Sequence, residues 1–212
     1  MRKIQTSILL VVLFVTLSAA QENDFQIWSS VSAKDRVTYK TDLYIKHSLR
    51  FRENASLLSH SFSEIKLKYK YNKRISIGLG FRDIDEWNKK LEIVNKSRYF
   101  TDVYYKKKKK RFYLVVRNRI QSQKNDVNFS TNFRQKFSCR YNIRKNKIEP
   151  SIAFEYFLNE YYHIRKLRYT ISLSYPIFKN TDMDVSYRIQ NPLYVKNPEK
   201  IYIFEVKLAY SL

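Results

Sequence analysis

The sequence predicts an all-β protein, an antiparallel transmembrane β-barrel, on three observations. First, nearly all of the chain beyond residue 36 alternates apolar and polar side chains with a period of two, the period at which a strand turns successive residues to opposite faces. The clearest case is the hairpin from Phe129 to Leu158. Its first arm carries Phe129, Phe133, Phe137, Cys139, Tyr141 and Ile143 on one parity and Arg134, Lys136 and Arg140 on the other. Second, aromatic residues of the apolar parity gather near strand ends, whereas strand middles are aliphatic. Third, the chain opens with the features of an export leader and has no later apolar run approaching the roughly 20 residues of a membrane helix, so a spanning mature chain could only be a barrel.

In chain order, residues 1–20 read as a signal peptide: Arg2 and Lys3, an apolar run from Ile8 to Leu17, and small residues before a cleavage point after Ala20. Residues 21–36 form an N-terminal segment, extended over 25–33. The barrel is expected over 37–212, with strands at 37–51, 61–71, 75–86, 94–106, 111–121, 129–143, 148–158, 163–177, 183–191 and 201–212. Ten strands satisfy the even count of bacterial outer-membrane barrels; twelve is the alternative, and the segment at 25–33 would make eleven. Short basic connections such as 72–74 and 107–110 alternate with longer ones such as 52–60 and 192–200, which predicts turns in the periplasm, loops outside and Leu212 on the periplasmic side.

Alternation alone does not say which parity faces the lumen, because a soluble ligand-binding barrel turns the same pattern inside out. The sorting along the strands decides for a bilayer. Tyr39, Tyr69, Tyr71, Tyr105, Phe112, Tyr141, Tyr175 and Tyr210 form one predicted aromatic girdle, and Phe51, Tyr99, Phe129, Tyr156 and Tyr202 the opposite one. Between them lie aliphatic pairs such as Leu43 with Ile45 and Ile171 with Leu173. The other parity then lines the lumen with a charge network of Arg82, Arg117, Arg119, Arg134, Arg140, Glu155, Arg168, Arg188 and Glu205. A barrel of this size, filled with paired charges, is expected to leave a narrow or closed passage.

The segments Phe25-Gln-Ile-Trp28, Phe62 through Arg74, Arg98 through Tyr105 and Arg168 through Tyr175 resemble the domain of unknown function 2490 family, outer-membrane-type β-barrels of Gram-negative bacteria. The resemblance covers essentially the whole mature chain. It implies location and fold and supplies no catalytic residues. The last strand, with Tyr202, Phe204, Val206, Leu208 and Tyr210 in register, resembles the carboxy-terminal signal read by the barrel-assembly machinery, although it ends in Leu212 where an aromatic residue is usual.

The formal net charge is +22, or +20 without the leader. Such basicity ordinarily points to nucleic acid, but an exported chain meets instead outer-membrane lipids, lipopolysaccharide phosphates or acidic polymers. The run Lys106 to Arg111 reads as a solvated turn. Cys139 is the only cysteine, so no internal disulfide can form. No phosphate loop, metal-binding motif or nucleophile elbow is present, and neither a cofactor nor a metal is expected. His47 with Ser48, His60 and His163 fall near predicted outer ends, which keeps open a lipid-modifying enzyme as an alternative to a structural or narrow porin-like barrel. A secreted soluble ligand-binding barrel is the other alternative.

Overall fold

The computed structural model describes residues 23–212 apart from 89, 126–127 and 196–197; the expected leader at 1–20 lies outside the described residues. The strands are β1 (Asp24–Arg36), β2 (Thr41–Arg52), β3 (Leu57–Lys70), β4 (Ile75–Trp87), β5 (Ile93–Lys109), β6 (Phe112–Asn125), β7 (Asn128–Tyr141), β8 (Glu149–Leu158), β9 (Ile164–Phe178), β10 (Thr181–Pro192) and β11 (Ile201–Ser211). Each pairs antiparallel with its sequence neighbour, and β1 closes the barrel by pairing parallel with β11. The barrel therefore has eleven strands, where the sequence predicted ten or twelve, and it begins at Asp24 rather than at residue 37.

The missed strand has a physical explanation. β1 turns Phe25, Ile27, Val31 and Ala33 outward, but its inward positions are Gln26, Trp28, Ser30 and Ser32, so the contrast between its two parities is weak. Its parallel partner lies at the far end of the chain, in register from Asp24 opposite Ile201 to Lys34 opposite Ser211. No local turn announces that pairing.

Strands also run further than their periodicity suggested. Lys106 to Lys109 are paired in β5, leaving Lys110 and Arg111 as a two-residue turn, and Asn125 pairs with Asn128. The facing ends of β2 and β3, β4 and β5, β6 and β7, β8 and β9, and β10 and β11 share one rim, here the loop rim; those of β1 and β2, β3 and β4, β5 and β6, β7 and β8, and β9 and β10 share the turn rim. Most of the expected difference in length has been absorbed into strands, and 193–200 alone stands out on the loop rim. Both of the chain's glycines are inside β4, so tight turns rely on other residues with left-handed backbones, including Lys110 (φ 53°) and Asn180 (φ 66°).

Following partners across the wall, Ile45, Ile65, Phe81, Tyr99, Ser122 and Thr131 form one register row. The row begins mid-strand in β2 and ends near the loop rim in β7, the stagger that closing a barrel requires. The aliphatic parity faces outward: Ile45, Ile65, Leu79, Ile152, Ile171 and Leu173 are all exposed. The polar parity faces inward, where Asp42, Arg82, Asp102, Arg119, Glu155 and Glu205 are buried. This is the polarity of a barrel that spans a membrane, and the inverse of a soluble barrel built around an apolar ligand. Tyr39, Tyr69, Tyr71, Tyr105, Phe112, Tyr141, Tyr175 and Tyr210 all stand toward the turn rim, with the Phe112 and Tyr141 rings 5.0 Å apart.

Candidate functional site: a basic lumen

A cavity of about 870 Å³ occupies the barrel interior. Strand alternation builds its wall: every second residue of each strand points into it, and on most strands that parity carries Lys or Arg. Among the described residues, fifteen Lys and Arg side chains line the cavity against three glutamates, Glu64, Glu155 and Glu205.

Those three carboxylates, on β3, β8 and β11, each gather cations from neighbouring strands. Glu155 accepts hydrogen bonds from Arg117 (2.6 Å), Arg134 (2.9 Å) and Arg168 (3.4 Å). Glu64 accepts from Nε of Arg82 at 2.9 Å and from a second nitrogen of the same guanidinium. Glu205 accepts from Arg188 and from the Ser186 hydroxyl (3.3 Å), with the Lys46 ammonium 4.0 Å away. Ion pairs across strands at this depth rigidify the wall, because taking one partner away leaves a buried charge uncompensated.

A fourth pair lies deeper in the wall. Arg119 grips Asp102 with two bonds of 2.7 Å, and the Tyr104 hydroxyl donates to the same carboxylate at 2.8 Å. The Arg119 guanidinium also lies 3.7 Å from the centre of the Phe100 ring. Gly80 makes this arrangement possible. It pairs with Phe100, and a Cβ there would run into the ring.

The remaining inward aromatics hold cations rather than one another. Trp28 carries Arg50 at 3.8 Å, Phe62 carries Arg82 at 4.0 Å and Arg50 at 4.8 Å, and Phe157 carries Arg134 at 4.5 Å and Arg168 at 4.9 Å. A guanidinium lying on a ring face gains from the quadrupole while its N–H edge stays free to donate.

Of the sequence-predicted lumen residues, Arg82, Arg117, Arg119, Arg134, Glu155, Arg168, Arg188 and Glu205 line the cavity together. Arg140 stands apart, exposed near the turn rim and paired with Glu149 at 3.2 Å. Sequence reasoning missed Trp28, Phe62, Phe100 and Phe157. Their signal was available: Phe62, Phe100 and Phe157 each sit two residues from an acidic residue of the inward parity, Glu64, Asp102 and Glu155.

The histidines do not assemble the lipid-modifying arrangement. His47 faces outward and meets the Ser63 hydroxyl at 3.1 Å, whereas Ser48 faces inward and donates to the Ser29 carbonyl at 2.9 Å. His163 lies in the 159–163 connection, where its backbone N–H donates to the Asn159 side chain. His60, expected in an outer loop, belongs to β3 and lines the lumen between Ser59 (3.0 Å) and Glu86 (3.3 Å). The Ser59 hydroxyl is buried and donates to the Arg50 carbonyl at 2.9 Å. Among the described residues no group of His, Cys, Asp and Glu is placed to hold a metal ion.

No curated protein matches the chain in sequence. Among solved structures it is similar to the KdgM porin in complex with disordered oligogalacturonate, with a TM-score of 0.51 at 15% identity over 85% of this chain and 94% of that one. A second KdgM porin structure gives 0.50 at 15% identity, over 78% and 89%. The β domain of the Bordetella autotransporter Brka gives 0.48 at 7% identity, over 79% and 82%. The likeness to KdgM is one of fold, a porin-type β-barrel. A family model described as a protein of unknown function, DUF2490, matches residues 25–198, and the chain belongs to that family.

Proposed function

We propose that this protein is an outer-membrane passage that favours anionic solutes. The observation that carries the reading is the cationic surplus of the wall around a cavity of about 870 Å³. Besides the cations held by Glu64, Glu155 and Glu205, and Arg119, Lys207 and Arg52 held by Asp102, Asp184 and Glu53, the described residues Arg50, Lys66, Arg98, Lys136, Arg165 and Lys166 line it without a salt bridge. A lumen closed purely for strength would be expected to pair its charges; a surplus of this size instead raises the local concentration of anions. The cavity is within the range of small-molecule sites, so it suits a solute or a short length of acidic chain. That a porin of similar fold holds an oligogalacturonate, a polymer of sugar acids, fits the same reading.

The proposal includes location and biogenesis. The leader is removed after Ala20, the outward register of β11 is read by the barrel-assembly machinery, and the girdles sit in phospholipid on one side and lipopolysaccharide on the other. Refolded protein in a planar bilayer under a KCl gradient tests the function. The expected reversal potential lies toward that of chloride; absence of conductance at all voltages would overturn the passage and leave a structural barrel.

A further inference from the structure

The three lumen carboxylates do not reach every cation: among the described residues Arg50, Lys66, Arg98, Lys136, Arg165 and Lys166 line the cavity without a salt bridge, and of these Arg50 and Lys166 stand near Arg134 and Arg168. Among the described residues Arg50 and Lys166 make no salt bridge and no side-chain hydrogen bond. Arg50 is held only by aromatic faces, Trp28 at 3.8 Å and Phe62 at 4.8 Å. Lys166 lies over Phe157 at 5.4 Å. The two rings are bridged by Arg168, 5.4 Å from Trp28 and 4.9 Å from Phe157, with Arg134 on Phe157 as well. Four cations from β2, β7 and β9 thus form one cluster inside the cavity. The acids around it are already engaged, Glu155 by three arginines and Glu205 by Arg188.

The donors of this cluster are not used up. Nε of Arg50, Arg134 and Arg168 is in each case buried without a hydrogen-bond partner, as is that of Arg52, Arg117 and Arg188. An unmade charged donor is costly, and among the described residues Arg50 alone of the six has no acceptor for any part of its guanidinium, whereas the other five donate to a carboxylate, an amide or a carbonyl. The aromatic rings explain how the cluster persists without one: a ring fixes a guanidinium in position but does not cancel its charge, as a carboxylate would.

We propose that Arg50, Arg134, Lys166 and Arg168 form a binding site for a solute carrying two or more clustered anionic groups, carboxylate or phosphoryl. This rests on the passage reading of the same lumen and makes it specific: the solute is held partway through, not merely admitted. A singly charged anion can meet only part of such a cluster, whereas planar guanidinium forks favour oxyanions that accept several bonds at once.

The site contains its own reporter. The chain has two tryptophans, so Trp87→Phe leaves Trp28, under the Arg50 guanidinium, as the sole tryptophan, excited selectively over the tyrosines at the red edge of the absorption band. Full-length refolded Trp87→Phe protein is titrated with citrate, tripolyphosphate, monomeric galacturonate and chloride at constant ionic strength. A saturable change in Trp28 emission is expected with citrate or tripolyphosphate, at least tenfold tighter than with galacturonate, and the stronger of the two identifies carboxylate or phosphoryl as the preferred group. Adding Arg50→Gln, or separately Lys166→Gln, should weaken that binding at least tenfold. Each removes a cation without an acidic partner, so both variants should resist heat at least as well as the parent, whereas a purely structural role predicts loss of stability. An identical, unsaturated response to all four anions, or saturable binding unaffected by both variants, would overturn the site. Anion-selective conductance without saturable binding would sink the site and spare the passage; saturable binding without conductance would do the reverse.

Discussion

Glu155 is the residue on which most of the lumen wall converges. It joins Arg117 of β6, Arg134 of β7 and Arg168 of β9 to its own strand β8, four successive strands tied at one carboxylate. Glu155→Gln keeps the shape but leaves three guanidinium groups facing one another with no negative charge between them. The loss of one member of a buried charge cluster costs about 3–5 kcal/mol, so the variant should unfold at clearly lower urea concentration than the parent, followed by heat-modifiable gel mobility. A shift no larger than that of an exposed substitution would mean that the cluster is solvated and not structural. Gly80 matters for a different reason. Its missing Cβ lets Phe100 lie against the wall and carry Arg119, which in turn holds Asp102.

At the scale of the strand, the ten strands from β2 to β11 were legible because each has a lipid-type face and a charged face in strict alternation. Their limits were less so: the lysines of 106–109 look like a turn by composition, yet pair with Phe112 to Val115 because the backbone of a lysine can join a ladder as well as any other. The inward charges were legible from parity, whereas their grouping around three glutamates was not, since it depends on the stagger between strands. The outward face also holds an exception that parity marks only faintly. Asn118 and Gln135 face out among apolar neighbours, and Gln135 donates to Asn118 while accepting from the Tyr156 hydroxyl. In lipid these amides need each other, since no water is available to replace a missing partner.

β1 provides the test at this level. Val31 pairs with Leu208 on one side and His47 on the other, in the interior of a closed wall. Proline there removes a backbone donor and is tolerated only at sheet edges or bulges. Val31→Pro should therefore abolish the compact heat-modifiable form; a variant that folds normally would show that β1 is an accessory strap on a ten-stranded barrel.

On the scale of the whole molecule, the shape follows from an odd strand count with one parallel seam. Every strand has a neighbour on both sides, so no edge is left open to pair with another chain. Orientation in the membrane follows from which rim meets the periplasm. With the turn rim inside, a cysteine replacing Lys108 in a Cys139→Ser background stays unlabelled by an impermeant thiol reagent in intact cells, and becomes labelled when the outer membrane is opened. Labelling in intact cells would reverse the assignment.

The parallel seam also separates the two ends of the wall. The Lys200 N–H donates to the Asn23 side chain at the loop rim, while the Leu212 N–H donates to the Lys34 carbonyl at the turn rim. In an even-stranded barrel the first and last strands leave from the same side, and tags at both ends report one compartment. Here an epitope at Asn23 and another after Leu212 would sit in opposite compartments, so a single molecule carries a paired positive and negative control for its own insertion.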